Sequence, residues 1–301
     1  MRISKKIIEI IGVPMDLGAN IRGSAMGPEA IRLAGLKKKI KQLNLEYFDS
    51  GNINVPIRET IALNDQKNKF LNIIRAVNDS LSQKVEKSLK NNHFPLILGG
   101  DHSLAIGSVI GTSKYLKNPG LIWIDTHADI NTPQTSPTQN IHGMPLSILL
   151  GDGHTQLTSL VNGNPINPKH ICIIGLRSID GHEVNLLKKS GVSYFTMRDI
   201  DEKGISKIMH KILSKELKNC DGIHVSLDLD VLDPQHAPGV STPVSGGLSL
   251  REAHLILELI ADSDLLTTLD MVELNPYHDI RGKTAINAIE LILSALGKAI
   301  V

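Results

Sequence analysis

The sequence predicts an α/β protein in which a central parallel β-sheet is covered by helices on both faces. Three observations carry this. Short runs rich in Ile, Leu and Val recur along the 301 residues and alternate with longer stretches of helical spacing. One Trp, four Tyr and four Phe are too few to build the core, so it must be aliphatic, as buried parallel strands are. No repeat, low-complexity tract or Pro/Ser-rich linker divides the chain, which therefore reads as one domain over 1–301.

The strand-like runs are 7–12, 94–98, 121–124, 171–174, 223–229 and 267–273. Helical spacing marks 27–43, 67–91, 103–115, 181–190, 202–218, 250–262 and 283–299. Gly27-Pro28-Glu29 opens the first of these with a proline at an early position. Ser249 precedes Leu250-Arg251-Glu252, a capping-box pattern.

Composition excludes several classes. With 32 basic against 31 acidic residues the net charge is +1, too little basic excess for a nucleic-acid or membrane-surface partner. A hydrophobic content of 41% excludes a mainly disordered chain. No apolar run reaches the roughly 18 residues of a membrane span. The start, Met1-Arg2-Ile3-Ser4-Lys5-Lys6, makes a poor signal peptide. Two cysteines, Cys172 and Cys220, are too few for a disulfide framework and point to a reducing compartment, most simply the cytoplasm.

Ligands of a parallel sheet bind beyond the carboxyl ends of its strands. The residues that follow four of the apolar runs are acids and imidazoles: Gly99-Gly100-Asp101-His102-Ser103, Asp125-Thr126-His127-Ala128-Asp129, Asp228-Leu229-Asp230 with Val231-Leu232-Asp233-Pro234 after it, and Glu273-Leu274-Asn275-Pro276. Along an extended segment alternate side chains share a face, so Asp125, His127 and Asp129 are expected to converge, as are Asp228 and Asp230. With His102 these suit a divalent cation that accepts oxygen and imidazole. The four aspartates carry a charge of about −4 when ionised, which two divalent cations balance. Two such cations can share a bridging water and acidify it into a nucleophile. A two-metal hydrolase follows from the residues alone. Asp233, off the alternating face and before a proline, reads as a turn residue or a support behind the ligands. Gly99-Gly100, followed by Asp and His, makes a poor phosphate cradle, which argues against a nucleotide-binding domain.

These three segments, from Gly99 to Gly107, from Asp125 to Thr132 and from Ser226 to Pro234, resemble the signatures of the ureohydrolase family, which contains arginases, agmatinases and formiminoglutamases. The resemblance runs from about residue 8 to the C-terminal helix. It implies a three-layer α/β/α fold with a central parallel sheet, and two Mn²⁺ per subunit on His102, Asp125, His127, Asp129, Asp228 and Asp230. It also implies attack of a metal-bridging hydroxide on a guanidinium-type carbon, and a homotrimer or homohexamer.

The loop from Asn131 to Pro145 is similar to that of bacterial arginases, where Asn131, Thr138 and Asn140 match carboxylate-binding positions. The family pair before the Asn is usually Ser-Gly; here it is Thr138-Gln139, and the missing glycine costs backbone freedom. Asp180 and Glu183 match the acids that hold a substrate ammonium; a helix N-cap followed by an acid in the first turn accounts for the same pair. Thr242 lies in Thr242-Pro243-Val244, also like arginases, and is expected to lend a hydrogen bond near the guanidinium. Glu273 is expected to pair with that planar group, Asp129 to relay the proton to the leaving amine, and His142 to shuttle protons to solvent. The expected reaction is L-arginine to L-ornithine and urea. Agmatinase, or another guanidino-compound hydrolase, is the alternative, and a non-catalytic family member a distant third.

Overall fold

A computed structural model of the chain describes residues 6–67, 69–162 and 165–298. Its strands are β1 (Ile7–Val13), β2 (Tyr47–Asn52), β3 (His93–Gly99), β4 (Pro119–Ile124), β5 (Ile171–Leu176), β6 (Ser193–Thr196), β7 (Gly222–Asp228) and β8 (Leu266–Val272). They form one sheet in the order β2-β1-β3-β8-β7-β4-β5-β6, and every neighbouring pair is parallel.

The six expected strands fall on β1, β3, β4, β5, β7 and β8. The two that carried no apolar run, β2 and β6, are the edges of the sheet. An edge strand is partly wet: Asp49, Ser50, Gly51 and Asn52 of β2 are half-buried or exposed. Inner strands are apolar on both sides because both sides pack. Leu96, Leu98, Ile122, Ile124, Cys172 and Ile174 go to one face with the helices Gly27–Leu33, Leu36–Gln42, Leu250–Asp262 and Lys283–Ala295. Ile97, Leu121, Trp123, Ile171 and Ile173 go to the other, against Leu71–Lys90 and Ala105–Tyr115.

Several helical stretches are broken where the sequence read as continuous. Within 27–43, Gly35 takes φ 102° and separates two short helices. Within 202–218 the helices Met197–Lys203 and Ile205–Lys211 meet at Gly204, φ 77°, and the second runs on as a π-turn over Ile212–Glu216. The stretch 67–91 is the helix Leu71–Lys90, preceded by the separate Leu63–Lys67; residue 68 lies outside the described residues. The expected 283–299 ends at Ala295, and residue 299 also lies outside them. Two short helices, Pro145–Leu149 and Thr155–Val161, complete too little of a period to be seen in sequence. Gly181–Ser190 and Leu250–Asp262 match their expected bounds, the latter with the Ser249–Glu252 capping box formed.

The strand order positions the chemistry. β3 and β4 follow one another in sequence, yet β8 and β7 lie between them. The carboxyl ends of β3, β8, β7, β4 and β5 therefore stand side by side. These are the five ends at or just beyond which His102, Glu273, Asp228, Asp125 and Asp180 lie.

Candidate metal centre and active site

Beyond β3 the chain presses against the end of β1. A Cβ on Gly100 would lie 1.8 Å from the Met15 carbonyl oxygen, so only glycine fits, and Asp101 N donates to that same oxygen at 2.7 Å. Asp101 then caps a 3₁₀ turn over His102–Leu104, accepting from Ser103 N at 2.9 Å, while its other oxygen accepts from Gly18 N at 2.8 Å. The turn swings the His102 ring inward. Its Nδ1 lies 3.0 Å from Asp125 Oδ2, 3.2 Å from Asp129 Oδ2 and 3.3 Å from Asp228 Oδ2. His127 Nδ1 lies 3.1 Å from Asp230 Oδ2 and 3.5 Å from Asp125 Oδ1. Two groups of possible ligand atoms result, His102–Asp125–Asp129 and Asp125–His127–Asp230, and Asp125 belongs to both.

The convergence expected from extended alternation is reached by another route. β4 stops at Ile124 and β7 at Asp228, and the chain turns immediately after each. Asp129 sits in the left-handed region at φ 49°. Asp228 accepts from Asp230 N at 2.8 Å and so caps a 3₁₀ turn over Leu229–Val231. Continued strands would have carried these acids out past the sheet edge; the turns fold them back over it.

Electrostatics tie the six residues together. Burial pulls both imidazoles down, but the carboxylates around them more than offset it: His102 is raised well above its ordinary value and His127 to about 12. Burial alone would raise Asp125, yet the two imidazoles hold it below the usual carboxylate range. Burial and the Asp125 charge push Asp129 up to about 6, and burial with the Asp230 and Asp125 charges raises Asp228. The cluster suits hard divalent cations by two tests. Its donors are carboxylate oxygens and imidazole nitrogens. His102 Nδ1 is buried and faces three carboxylate oxygens without hydrogen-bond geometry to any of them, leaving a lone pair for a positive charge. Ligating imidazoles are neutral and ligating carboxylates ionised, so bound cations displace the protons this cluster otherwise shares.

The remaining candidates make separate contacts around the cluster. Glu273, at φ 64° and buried, accepts from His102 N at 2.8 Å through Oε1, which also lies 3.0 Å from His142 Nδ1; its Oε2 has no hydrogen-bond partner. Burial lowers His142, but the Glu273 carboxylate outweighs it and raises the imidazole to about 9. Asn131 Nδ2 donates to Asp180 Oδ2 at 2.8 Å, joining the loop after β4 to the segment after β5. Asp180 N-caps Gly181–Ser190 and Glu183 closes the capping box, so the structural role of this acid pair is present in full. Glu183 is pushed up to about 7 by burial and by Asp129. Thr138 Oγ1 accepts from Asn140 N at 3.2 Å. Thr242 Oγ1 donates to Asp230 Oδ2 at 3.0 Å, which commits its proton and leaves it an acceptor toward anything else. Asp233 accepts from Gln235 N and from Gly246 N, the turn role its proline neighbour indicated.

Other contributors carried no sequence signal of their own. Trp123 stacks on His102, ring centroids 4.0 Å apart, and donates to Asp125 Oδ2 at 3.0 Å. Ser226 Oγ meets His102 Nε2 at 2.9 Å; behind it Asp270, joined to His224 and Ser108, is wholly buried. Arg177 donates to the carbonyls of Val231, Asp230 and Val244, pinning the turn that carries Asp230. For Trp123, Ser226 and Asp270, a place on a buried strand leading to an acid is the clue the sequence holds; Arg177, just beyond β5, has none.

Fold and cluster together define the class: a parallel α/β/α protein with a carboxylate–imidazole cluster at its strand ends whose donors could hold divalent cations. The Arginase family model matches residues 6–297. The arginase of Bacillus subtilis (strain 168) is 48% identical over 294 residues, covering 97% of this chain and 98% of that protein. The solved arginase of Bacillus caldovelox superposes with a TM-score of 0.94 at 42% identity, covering 98% of this chain and all of that one. The Entamoeba histolytica arginase solved in complex with L-ornithine gives 0.89 at 31% identity, over 99% of this chain and all of that one. The chain belongs to the arginase family and is a hydrolase.

Proposed function

We propose that the protein is an arginase that converts L-arginine to L-ornithine and urea, with residues 1–301 as one catalytic domain holding two Mn²⁺ per subunit. The observation that carries this is the pair of carboxylate–imidazole groups sharing Asp125, beside a Glu273 whose Oε2 is free, in a chain of this family. His102, Asp125, Asp129 and Asp228 would hold one cation, and Asp125, His127 and Asp230 the other. When bound, such a pair supplies a water acidified enough to attack at neutral pH.

The chain's own residues do the rest. Glu273 Oε2 accepts from the guanidinium and orients its plane. Asp129 takes up a proton from the attacking water and returns it to the leaving amine. His142 joins Glu273 to the less buried rim and passes protons outward. At the far end Asn131, Thr138 and Asn140 receive the α-carboxylate, and Asp180 with Glu183 the α-ammonium. The Asn131–Asp180 hydrogen bond sets these two anchors at a fixed separation.

No helix among the described residues is long and apolar enough to cross a membrane. Both cysteines are free and buried, which supports the cytoplasm as the location. A homotrimer or homohexamer is part of the same reading.

Urea release by the Mn²⁺-loaded protein from L-arginine and from agmatine, at equal concentration, is the test. The expected result is a preference for arginine of about a hundredfold or more, because agmatine leaves the carboxylate and ammonium anchors unpaired. Preference for agmatine, or no urea from either, overturns the assignment.

A further inference from the structure

The loop from Asn131 to Asn140 has no regular secondary structure, and its two arms do not pair as strands. Its outgoing arm is a tight turn: Thr135 N and Ser136 N both donate to Thr132 O, at 3.1 and 2.9 Å. Its returning arm carries Thr138, which is exposed, and Asn140, which is buried. Between these lies Gln139. It is half-buried and sits at φ 60°, in the left-handed region that glycine enters freely and other residues enter at a cost. The cost is offset by the side chain. Gln139 Nε2 donates to Pro133 O and to Ser136 O, both at 2.8 Å, and Gln139 N donates to Ser136 Oγ at 3.0 Å. One amide group thus spends both its protons on carbonyls of the opposite arm.

We propose that Gln139 is a positioning residue for substrate selection. Its amide clasps the two arms of the loop, and so fixes where Thr138 and Asn140 stand relative to Asn131, the three groups that face the amino-acid end of the substrate. The inference rests on the arginase reading for its substrate, and on the hydrogen bonds above for the clasp. A glycine at this position would remove the strain and the clasp together. A glutamate would keep the length and the strain but turn two donors into acceptors facing two carbonyls.

The test uses the Mn²⁺-loaded enzyme with Gln139→Gly and Gln139→Glu. Gln139→Glu is expected to raise KM for L-arginine about tenfold, with kcat within about twofold of the parent, because the lost contacts order the binding loop and not the reacting atoms; Gln139→Gly, which puts in the residue the family usually has here and relieves φ, is expected to raise it less. Amide hydrogen exchange over 133–140 is expected to accelerate in both, while exchange in β3 and β4 is unchanged. Glycine is the safer variant for folding, since it relieves φ. Loop amides that exchange at the parental rate in Gln139→Glu overturn the clasp. Faster loop exchange with unchanged KM, or kcat falling as far as KM rises, overturns the positioning role. A parent protein that releases no urea from arginine overturns the arginase reading instead, and hydrogen exchange still decides the clasp.

Discussion

Three side chains of the candidate site, Asp129, Gln139 and Glu273, share a backbone state that no residue pattern announces: each sits at φ between 49° and 64°. Left-handed non-glycine residues are held there by their surroundings. Asp129 faces His102, Glu273 accepts from the His102 amide, and Gln139 grips two carbonyls. The types of Asp129 and Glu273 were legible in the sequence, because chemistry dictates type, whereas Gln139 was legible only as a departure from glycine; the conformations of the two acids depend on His102, 27 and 171 residues away, and that of Gln139 on a loop geometry that no pattern marks. His142 shows the same division. Its imidazole was evident in sequence, whereas its pairing with Glu273 at 3.0 Å required the fold. His142→Asn keeps a polar group at the rim and loses the titratable ring. Turnover on arginine is expected to fall about 10- to 100-fold with Mn²⁺ content unchanged. Unaltered kcat together with an unaltered pH profile would remove His142 from the reaction.

At the scale of elements, strands were read best where both faces are buried. The acids of the site were found for the same reason: each follows the last residue of an apolar run. Edge strands and the short helices that buttress the loop after β4 gave no such boundary. Glu9 illustrates what an alternation argument overlooks. It lies within β1, almost fully buried, where periodicity asks for an apolar residue. Its carboxylate binds across four elements, with Lys84 Nζ at 2.8 Å on the helix Leu71–Lys90, Ser50 Oγ at 2.6 Å on β2 and His93 Nδ1 at 3.1 Å on β3. Burial opposes its ionisation, but Lys84, Ser50, Ser88 and His93 together outweigh burial and hold it at about 2. A carboxyl depressed on folding stabilises the protein above its unfolded value, near 4.5, and that contribution is lost as pH falls toward 2. Glu9→Gln should therefore lower stability at pH 7 by about 1–3 kcal/mol, and the gap between parent and variant should narrow through this window. Thermal melts of both proteins from pH 7 downward, within the range where the parent stays folded, measure it. A gap that stays constant below pH 4 would show that the ion network contributes nothing through charge.

Across the whole molecule, the strand order was the least legible feature. Nothing in the sequence near β7 or β8 states that they insert between β3 and β4, yet that insertion is what gathers four segments from 102 to 273 into one cluster. The outer surface of the helical layer that contains Gly27–Leu33 and Lys283–Ala295 raises a related question of assembly. These two helices pack on each other, but Leu33 remains 89% exposed and Ile286 50%, and Ile280 and Tyr277, just before the second helix, are 62% and 81% exposed. Fully burying one such side chain stabilises by about 1.5–3 kcal/mol, so an assembly that covers them would gain from it. The proposed trimer or hexamer gives these residues a partner in a second copy of the chain. Light scattering of the purified protein should then report three or six subunits. Leu33→Glu combined with Ile280→Glu should shift the mass toward one subunit, since carboxylates would have to be buried unpaired at the contact. A parent protein that runs as a single subunit at micromolar concentration would refute the assembly. A double variant with parental mass would place the contact on another face.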